Sequence, residues 1–197
     1  MKKILLTGAS GFIGKQVLDS LLKKDVSIKL VVREDKGHVF KKNPKILDLV
    51  ETKDFFAESS DWYENICKDI DLIIHLAWYA EPGKYLESPL NLECLSGSLK
   101  FAKAASNQPI KKFVGAGTCF EYDLTNNMVL DANAELNPKF LYSITKAAAF
   151  NTLSKLFKNS QIDFLWTRIF YLFGEGEDER RLVPVIRNKL SKNEIVD

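Results

Sequence analysis

The amino-acid sequence predicts a doubly wound α/β fold, a parallel β-sheet with helices packed on both faces. Three observations carry this. Short apolar runs alternate with amphipathic segments of helical length along the whole chain, the pattern of βαβ units. The run IDLIIHLAW (residues 70–78) is apolar almost throughout, as a parallel strand buried on both faces must be. Finally Gly8, Gly11 and Gly14 fall where the first apolar run gives way to the first helical one.

The elements follow in order. Ile4-Leu5-Leu6 reads as a buried strand, and Val17, Leu18, Leu21 and Leu22 recur at the spacing of one helical face,. SIKLVVRED is rich in β-branched residues and reads as a second strand, followed by a polar, Lys-rich turn, GHVFKKNPK,. KILDLV is a third strand and SSDWYENICKD a helix, after which comes the long apolar strand already named. ESPLNLECLSGSLKFAKAAS predicts a long helix with Pro89 near its first turn,. KKFVGAGTCFEY is a strand, NPKFLYSITKAAAFNTLSKLFKN a second long helix, and IDFLWTRIFYLFG the last strand. EGEDERR mixes both charge signs and reads as a solvated loop, with RLVPVIRNKLSKN beyond it as one amphipathic helix,.

Bulk composition narrows the function. The chain has 197 residues, 46% hydrophobic and 27% charged, the balance of a globular domain. Lys+Arg is 28 against Asp+Glu 26, a net charge of +2, which leaves no electrostatic footprint for nucleic acid or an anionic membrane. No apolar run reaches the roughly 20 residues of a spanning helix, and MKKILL is too short for a secretory leader,. Cys67, Cys94 and Cys119 have no regular spacing, and His38 and His75 stand far apart, so neither a disulfide framework nor a metal site is expected,. The expected location is the cytoplasm.

On a strand-turn-helix of such a sheet, glycines admit a pyrophosphate to the helix N-terminus, where free N–H groups and a partial positive charge await it. Here the spacing is TGASGFIG, GxxGxxG in form. That stretch resembles the extended branch of the short-chain dehydrogenase/reductase superfamily, the NAD-dependent epimerase/dehydratase family that modifies nucleotide sugars. The resemblance continues down the chain through Asp54-Phe55, HLAW (75–78), GSLKFAKAA (97–105), Thr118 and the YxxxK of Tyr142 and Lys146. It implies a Rossmann-type fold over residues 1–169, with 170–197 the start of a truncated substrate-binding region. It implies cofactor contacts from Gly8, Gly11, Phe12, Ile13 and Gly14, from Asp54 and Phe55 beside adenine, and from the backbone of Leu76 and Ala77. Phe170 would line the nicotinamide site. For His75 itself a core position is the better reading.

Tyr142 and Lys146 are four apart and so share one helix face. A phenol with a pKa near 10 is a poor base at neutral pH, and a neighbouring ammonium is expected to lower it. The resemblance implies hydride transfer at a nicotinamide, with Tyr142 moving the proton, Thr118 holding the substrate oxygen and Lys146 also bonding the cofactor ribose. The second strand ends with Arg33 where NAD enzymes usually place an acidic residue,. Arg33 can pair with a 2′-phosphate, so NADP(H) is favoured over NAD(H).

The implied substrate is a nucleotide-activated sugar, and the reading is a 4-ketoreductase of an NDP-4-keto-6-deoxyhexose. A 4-epimerase is the alternative within the class. Outside it stand a non-catalytic cofactor sensor on the same fold, which the Tyr and Lys argue against, and a reductase of small carbonyls. Dehydratases carry Asp-Glu after the threonine; Cys119-Phe120 stand here, and Cys119 is expected to point away from the site as a small buried hydrophobe. In RIFYLFGEG, Tyr171 and Glu175 replace the family's Asn and Pro, and Cys94 replaces an Asn, with Asn91 one turn earlier. A homodimer through the two long helices is expected, with Leu95, Leu99, Phe101, Phe150 and Leu153 supplying the contact.

Overall fold

The computed structural model describes residues 1–40, 43–125 and 129–195. Lys41 and Lys42, in the expected Lys-rich turn, and the last two residues, beyond the C-terminal helix, lie outside that set.

Six strands, β1 (Lys2–Thr7), β2 (Val26–Arg33), β3 (Ile46–Thr52), β4 (Leu72–His75), β5 (Lys112–Thr118) and β6 (Asp163–Ile169), form one sheet in the order β3-β2-β1-β4-β5-β6. Every neighbouring pair is parallel. The helices are α1 (Phe12–Leu22), α2 (Ser60–Cys67), α3 (Leu90–Ser106), α4 (Leu141–Ser160) and α5 (Leu182–Ser191). The order reverses between β1 and β4, where an open α/β sheet forms its ligand crevice. The chain is a Rossmann-like α/β fold.

Side-chain alternation assigns the strands to two cores. Ile4 and Leu6 of β1, with Ile28, Leu30 and Val32 of β2, pack with Leu18 of α1. Leu5, Val31, Ile73 and Phe113 face the other way, into a core closed by Tyr63 and Ile66 of α2, Phe101 of α3 and Phe157 of α4.

Several expectations need correction. The strand predicted over 70–78 stops at His75, because the amides of Leu76 and Ala77 turn back to the carbonyl and hydroxyl of Thr7. The strand predicted over 111–122 stops at Thr118, where Cys119–Glu121 wind into a 3₁₀ turn. Glu34 and Asp35 likewise belong to a 3₁₀ turn rather than to β2. Of the expected dimer contacts, Phe101 and Leu153 are enclosed in the core at 0% and 1% exposure, while Leu95, Leu99 and Phe150 are half-buried. The large apolar side chains that α3 and α4 do expose are Leu90, Leu92 and Ile144.

Candidate active site

The last residues of the six strands are Thr7, Arg33, Thr52, His75, Thr118 and Ile169, and the candidate residues gather along this carboxyl edge. Gly8 leaves β1 with φ +77, and a Cβ there would stand 2.7 Å from the Ala77 amide nitrogen. The β1–α1 turn is thus pressed against Leu76-Ala77, as the sequence pattern required. At Gly14 a Cβ would lie 2.0 Å from the Gly8 carbonyl oxygen, so this glycine serves the packing of the turn itself. Gly11 differs: its Cβ would meet only the Gly8 carbonyl, at 3.4 Å.

Gly11 is also the N-cap of α1, with no side-chain cap and no acidic residue in the first turn. The opening amides of a helix have no partners of their own, and among the described residues none is supplied for Phe12 or Ile13. An uncapped N-terminus beside a glycine that the fold does not demand fits an anion such as a pyrophosphate. Leu172 and Phe173, in the segment after β6, line a groove with Phe12 and Ile13. Phe170 stands at the start of that segment, half exposed, with its ring 6.2 Å from that of Tyr122.

At the β3 end of this edge, the Asp54 carboxylate accepts from the Phe56 amide at 2.9 Å and caps the short turn after β3. The Phe55 side chain is buried against His75, so only its backbone is offered to the crevice. Arg33 is 65% exposed at its side chain, with Nε 3.6 Å from Asp35.

His75 is a core residue, as expected. Its ring bridges Thr7 Oγ1 at 2.8 Å and Ser98 Oγ at 2.9 Å. Burial, with a smaller push from Lys146, holds its pKa down at about 3, so the imidazole is neutral and ties β1, β4 and α3 together.

Thr118, Tyr142 and Lys146 do converge. Thr118 Oγ1 accepts from the Phe120 amide at 3.3 Å, which leaves its proton free to donate. Lys146 is buried at 4% exposure; its Nζ donates to the Ala116 carbonyl at 2.6 Å and sits 3.8 Å from the centroid of the Trp78 ring. Burial pulls its pKa down to about 7, against opposing pushes from Glu121 and Cys94.

The expected lowering of the Tyr142 phenol is not found. Burial raises it, Tyr85, Glu121 and Cys119 add to the rise, and a hydrogen bond with the Thr118 side chain works the other way. The Lys146 ammonium, engaged by Ala116, lies 5.9 Å from the phenol ring centroid. Shared helix face did not become direct contact.

Sequence reasoning also missed what surrounds this trio. Tyr85 meets Tyr142 edge-on at 4.8 Å. The loop that carries it is held by Asn91, whose amide donates to the Tyr85 and Ser88 carbonyls and whose oxygen accepts from Trp78 Nε1. Cys119 does not point away: it opens a 3₁₀ turn, where strand alternation no longer applies, and it lies close enough to Tyr85 and Tyr142 to push their pKa values up. It is buried, as expected, and burial raises its pKa. Glu121 was overlooked as well. Thr118 and Glu121 have the Thr-x-x-Glu spacing of a capping box, a signal that was present in the sequence.

A family model described as "NAD dependent epimerase/dehydratase family" matches residues 4–196. The chain belongs to this family. Among its relatives is the "dTDP-D-glucose 4,6-dehydratase" of Dictyostelium discoideum, 26% identical over 98% of this chain and 49% of the relative. The "dTDP-6-deoxy-L-talose 4-dehydrogenase (NAD(+))" of Aggregatibacter actinomycetemcomitans is 27% identical over 87% of this chain and 62% of the relative. Among solved structures, the UDP-N-acetylglucosamine 4-epimerase from Methanobrevibacter ruminantium M1, in complex with UDP-N-acetylmuramic acid, superposes with TM-score 0.82. It is 28% identical, over 98% of this chain and 64% of that one. The chain therefore spans about half to two thirds of the length of these three proteins. Among the described residues no helix is long and apolar enough to cross a membrane, and no cluster of metal-ligating side chains occurs.

Proposed function

We propose that the chain is the cofactor-binding part of a nicotinamide-dependent oxidoreductase that reduces the 4-keto group of a nucleotide-activated 6-deoxyhexose. The observation that carries this reading is the gathering of Thr118, at the end of β5, with Tyr142 and the buried Lys146 of α4, whose Nζ reaches the β5 carbonyl of Ala116 at 2.6 Å. Burial raises the Tyr142 pKa. A reduction begins from the acid form of that tyrosine, whereas the oxidation of an alcohol needs the phenolate. The 4-dehydrogenase among the relatives supports the same chemistry.

A bound nicotinamide would supply the hydride. The α1 N-terminus, with Gly8, Gly11, Phe12, Ile13 and Gly14, would hold the pyrophosphate; Asp54, Phe55, Leu76 and Ala77 would line the cofactor crevice, and Lys146 would hold a ribose hydroxyl. Tyr142 gives its proton to the substrate oxygen as charge develops there. Thr118, whose oxygen already accepts from Phe120, donates its hydroxyl proton to the same atom, so two donors meet one developing charge.

The dehydratase reaction is not proposed, although one relative carries that name. At the two positions after Thr118 stand a buried thiol with a raised pKa and a phenylalanine, and neither can serve as an acid/base pair. A 4-epimerase is the second reading, favoured by the similarity to the archaeal 4-epimerase; it would need Tyr142 to act in both directions.

Tyr142→Phe tests the proposal. Turnover is expected to fall about 10²- to 10⁴-fold, the usual worth of a positioned proton donor, while the dissociation constant for the nicotinamide dinucleotide stays the same. Turnover at the wild-type rate would overturn the assignment.

A further inference from the structure

The proton path leaves one buried charge unused. Glu121 is completely enclosed. Its carboxylate accepts from the Thr118 amide at 2.8 Å, from Arg168 Nε at 2.8 Å and from Trp166 Nε1 at 3.1 Å to each oxygen. Gly117 is what admits it: a Cβ there would lie 2.4 Å from Glu121 Oε1 and 2.2 Å from Trp166 Nε1. The Arg168 guanidinium is in turn held near the Tyr122 ring, at 5.0 Å, and the Phe150 ring, at 4.6 Å. Stability alone does not require such a pair, since apolar residues of similar volume often replace a buried ion pair without loss.

The pair's location gives it a use. Its carboxylate grips the backbone of the residue whose hydroxyl faces Tyr142, and is itself anchored by Trp166 and Arg168 of the neighbouring strand, β6. We propose that Glu121, with Arg168 as its counter-ion, is a positioning residue: it fixes the strand end at Thr118 so that the hydroxyl stays aimed at the reacting oxygen, and its charge acts on the Tyr142–Lys146 pair. The kinetic part rests on the reductase reading above. The groups facing the pair are Glu121 and Cys119 at the end of β5, Cys94 from α3, His75 from β4, and Trp78 and Tyr85 from the loop after it. Glu121 raises the pKa of both Lys146 and Tyr142.

The test compares wild type, E121Q and E121D as full-length proteins, with an NDP-4-keto-6-deoxyhexose as substrate and Lys146 followed separately by ¹³Cε NMR. For E121Q the expected result is kcat reduced about tenfold or more, as misplacement of a reacting group does, with KM and cofactor affinity within about two-fold. The Lys146 titration and the alkaline limb of the reductive pH profile should both move to lower pH, and E121D should recover part of kcat. A purely structural role would move neither titration. Wild-type kcat with both titrations in place would overturn the proposal, as would a loss confined to KM. If E121Q does not fold, Arg168→Lys keeps the charge and loses the Nε geometry: lowered kcat at constant KM supports the proposal, and unchanged kcat overturns it. No turnover in the wild type would sink the reductase reading instead. Glu121 would then be judged on the Lys146 titration, which E121Q must lower.

Discussion

A methyl group added at Gly11 or at Gly14 would meet different surroundings in the same turn. At Gly14 it collides with the Gly8 carbonyl oxygen, at 2.0 Å, and Gly14→Ala is expected to cost about 1–3 kcal/mol or more of stability,. At Gly11 it has room and an extended backbone, φ −77 and ψ 169, that alanine adopts freely. Gly11→Ala should therefore keep its unfolding free energy within about 1 kcal/mol of wild type while cofactor affinity drops by about tenfold or more, because the methyl occupies the space an anion needs. Titration calorimetry beside urea unfolding separates the two, and a Gly11→Ala protein with wild-type affinity would refute the cradle. Arg33 makes a second claim at this scale. It is exposed and weakly paired to Asp35, so it can turn toward a 2′-phosphate. Arg33→Glu is expected to weaken NADPH binding about tenfold more than NADH binding, since a bidentate cation is replaced by a repelling carboxylate. Equal losses would reduce Arg33 to a surface charge. These residues were readable from the sequence because glycines and charges at strand ends follow local spacing. Glu121 was readable too, from its distance to Thr118, but its partners Trp166 and Arg168 come from a strand more than forty residues on.

The strands β1 and β4 and the helix α3 are joined through one neutral imidazole. His75 has an unfolded pKa of 6.5 and is held at about 3 in the fold. The unfolded chain thus binds a proton that the native chain refuses, so this contribution is intact above pH 6.5 and is lost as pH falls toward 3. The expected slope is about 1.4 kcal/mol per pH unit below 6.5. Urea midpoints at pH 7.5 and 5.5 should show it, and His75→Gln, which keeps a hydrogen-bonding side chain, should flatten it. An equal slope in that variant would place the pH dependence elsewhere. The same strand shows why element ends were misjudged. Apolar character continues through Leu76-Ala77-Trp78, yet pairing stops at His75, because Thr7 captures the next two amides. Local hydrophobicity has no access to that capture.

At the scale of the whole molecule, alternating strand and helix signals were enough to require a parallel sheet, and the glycine turn at the first crossover was enough to locate its crevice. Both follow from short-range physics: side-chain periodicity, and the unpaired amides of a helix start. What the sequence by itself determined is the architecture, the family, and the presence of Thr118, Tyr142 and Lys146 at one edge. Only the tertiary structure decided their electrical state. It buried Lys146 under Trp78, turned its ammonium to the Ala116 carbonyl, and left the Tyr142 phenol raised. It also drew Phe101 and Leu153 into the core that a helix-face reading had offered to a partner. A pKa and a buried face depend on what the rest of the chain brings within a few ångströms, and β6 and the loop before α3 supply that from far along the sequence.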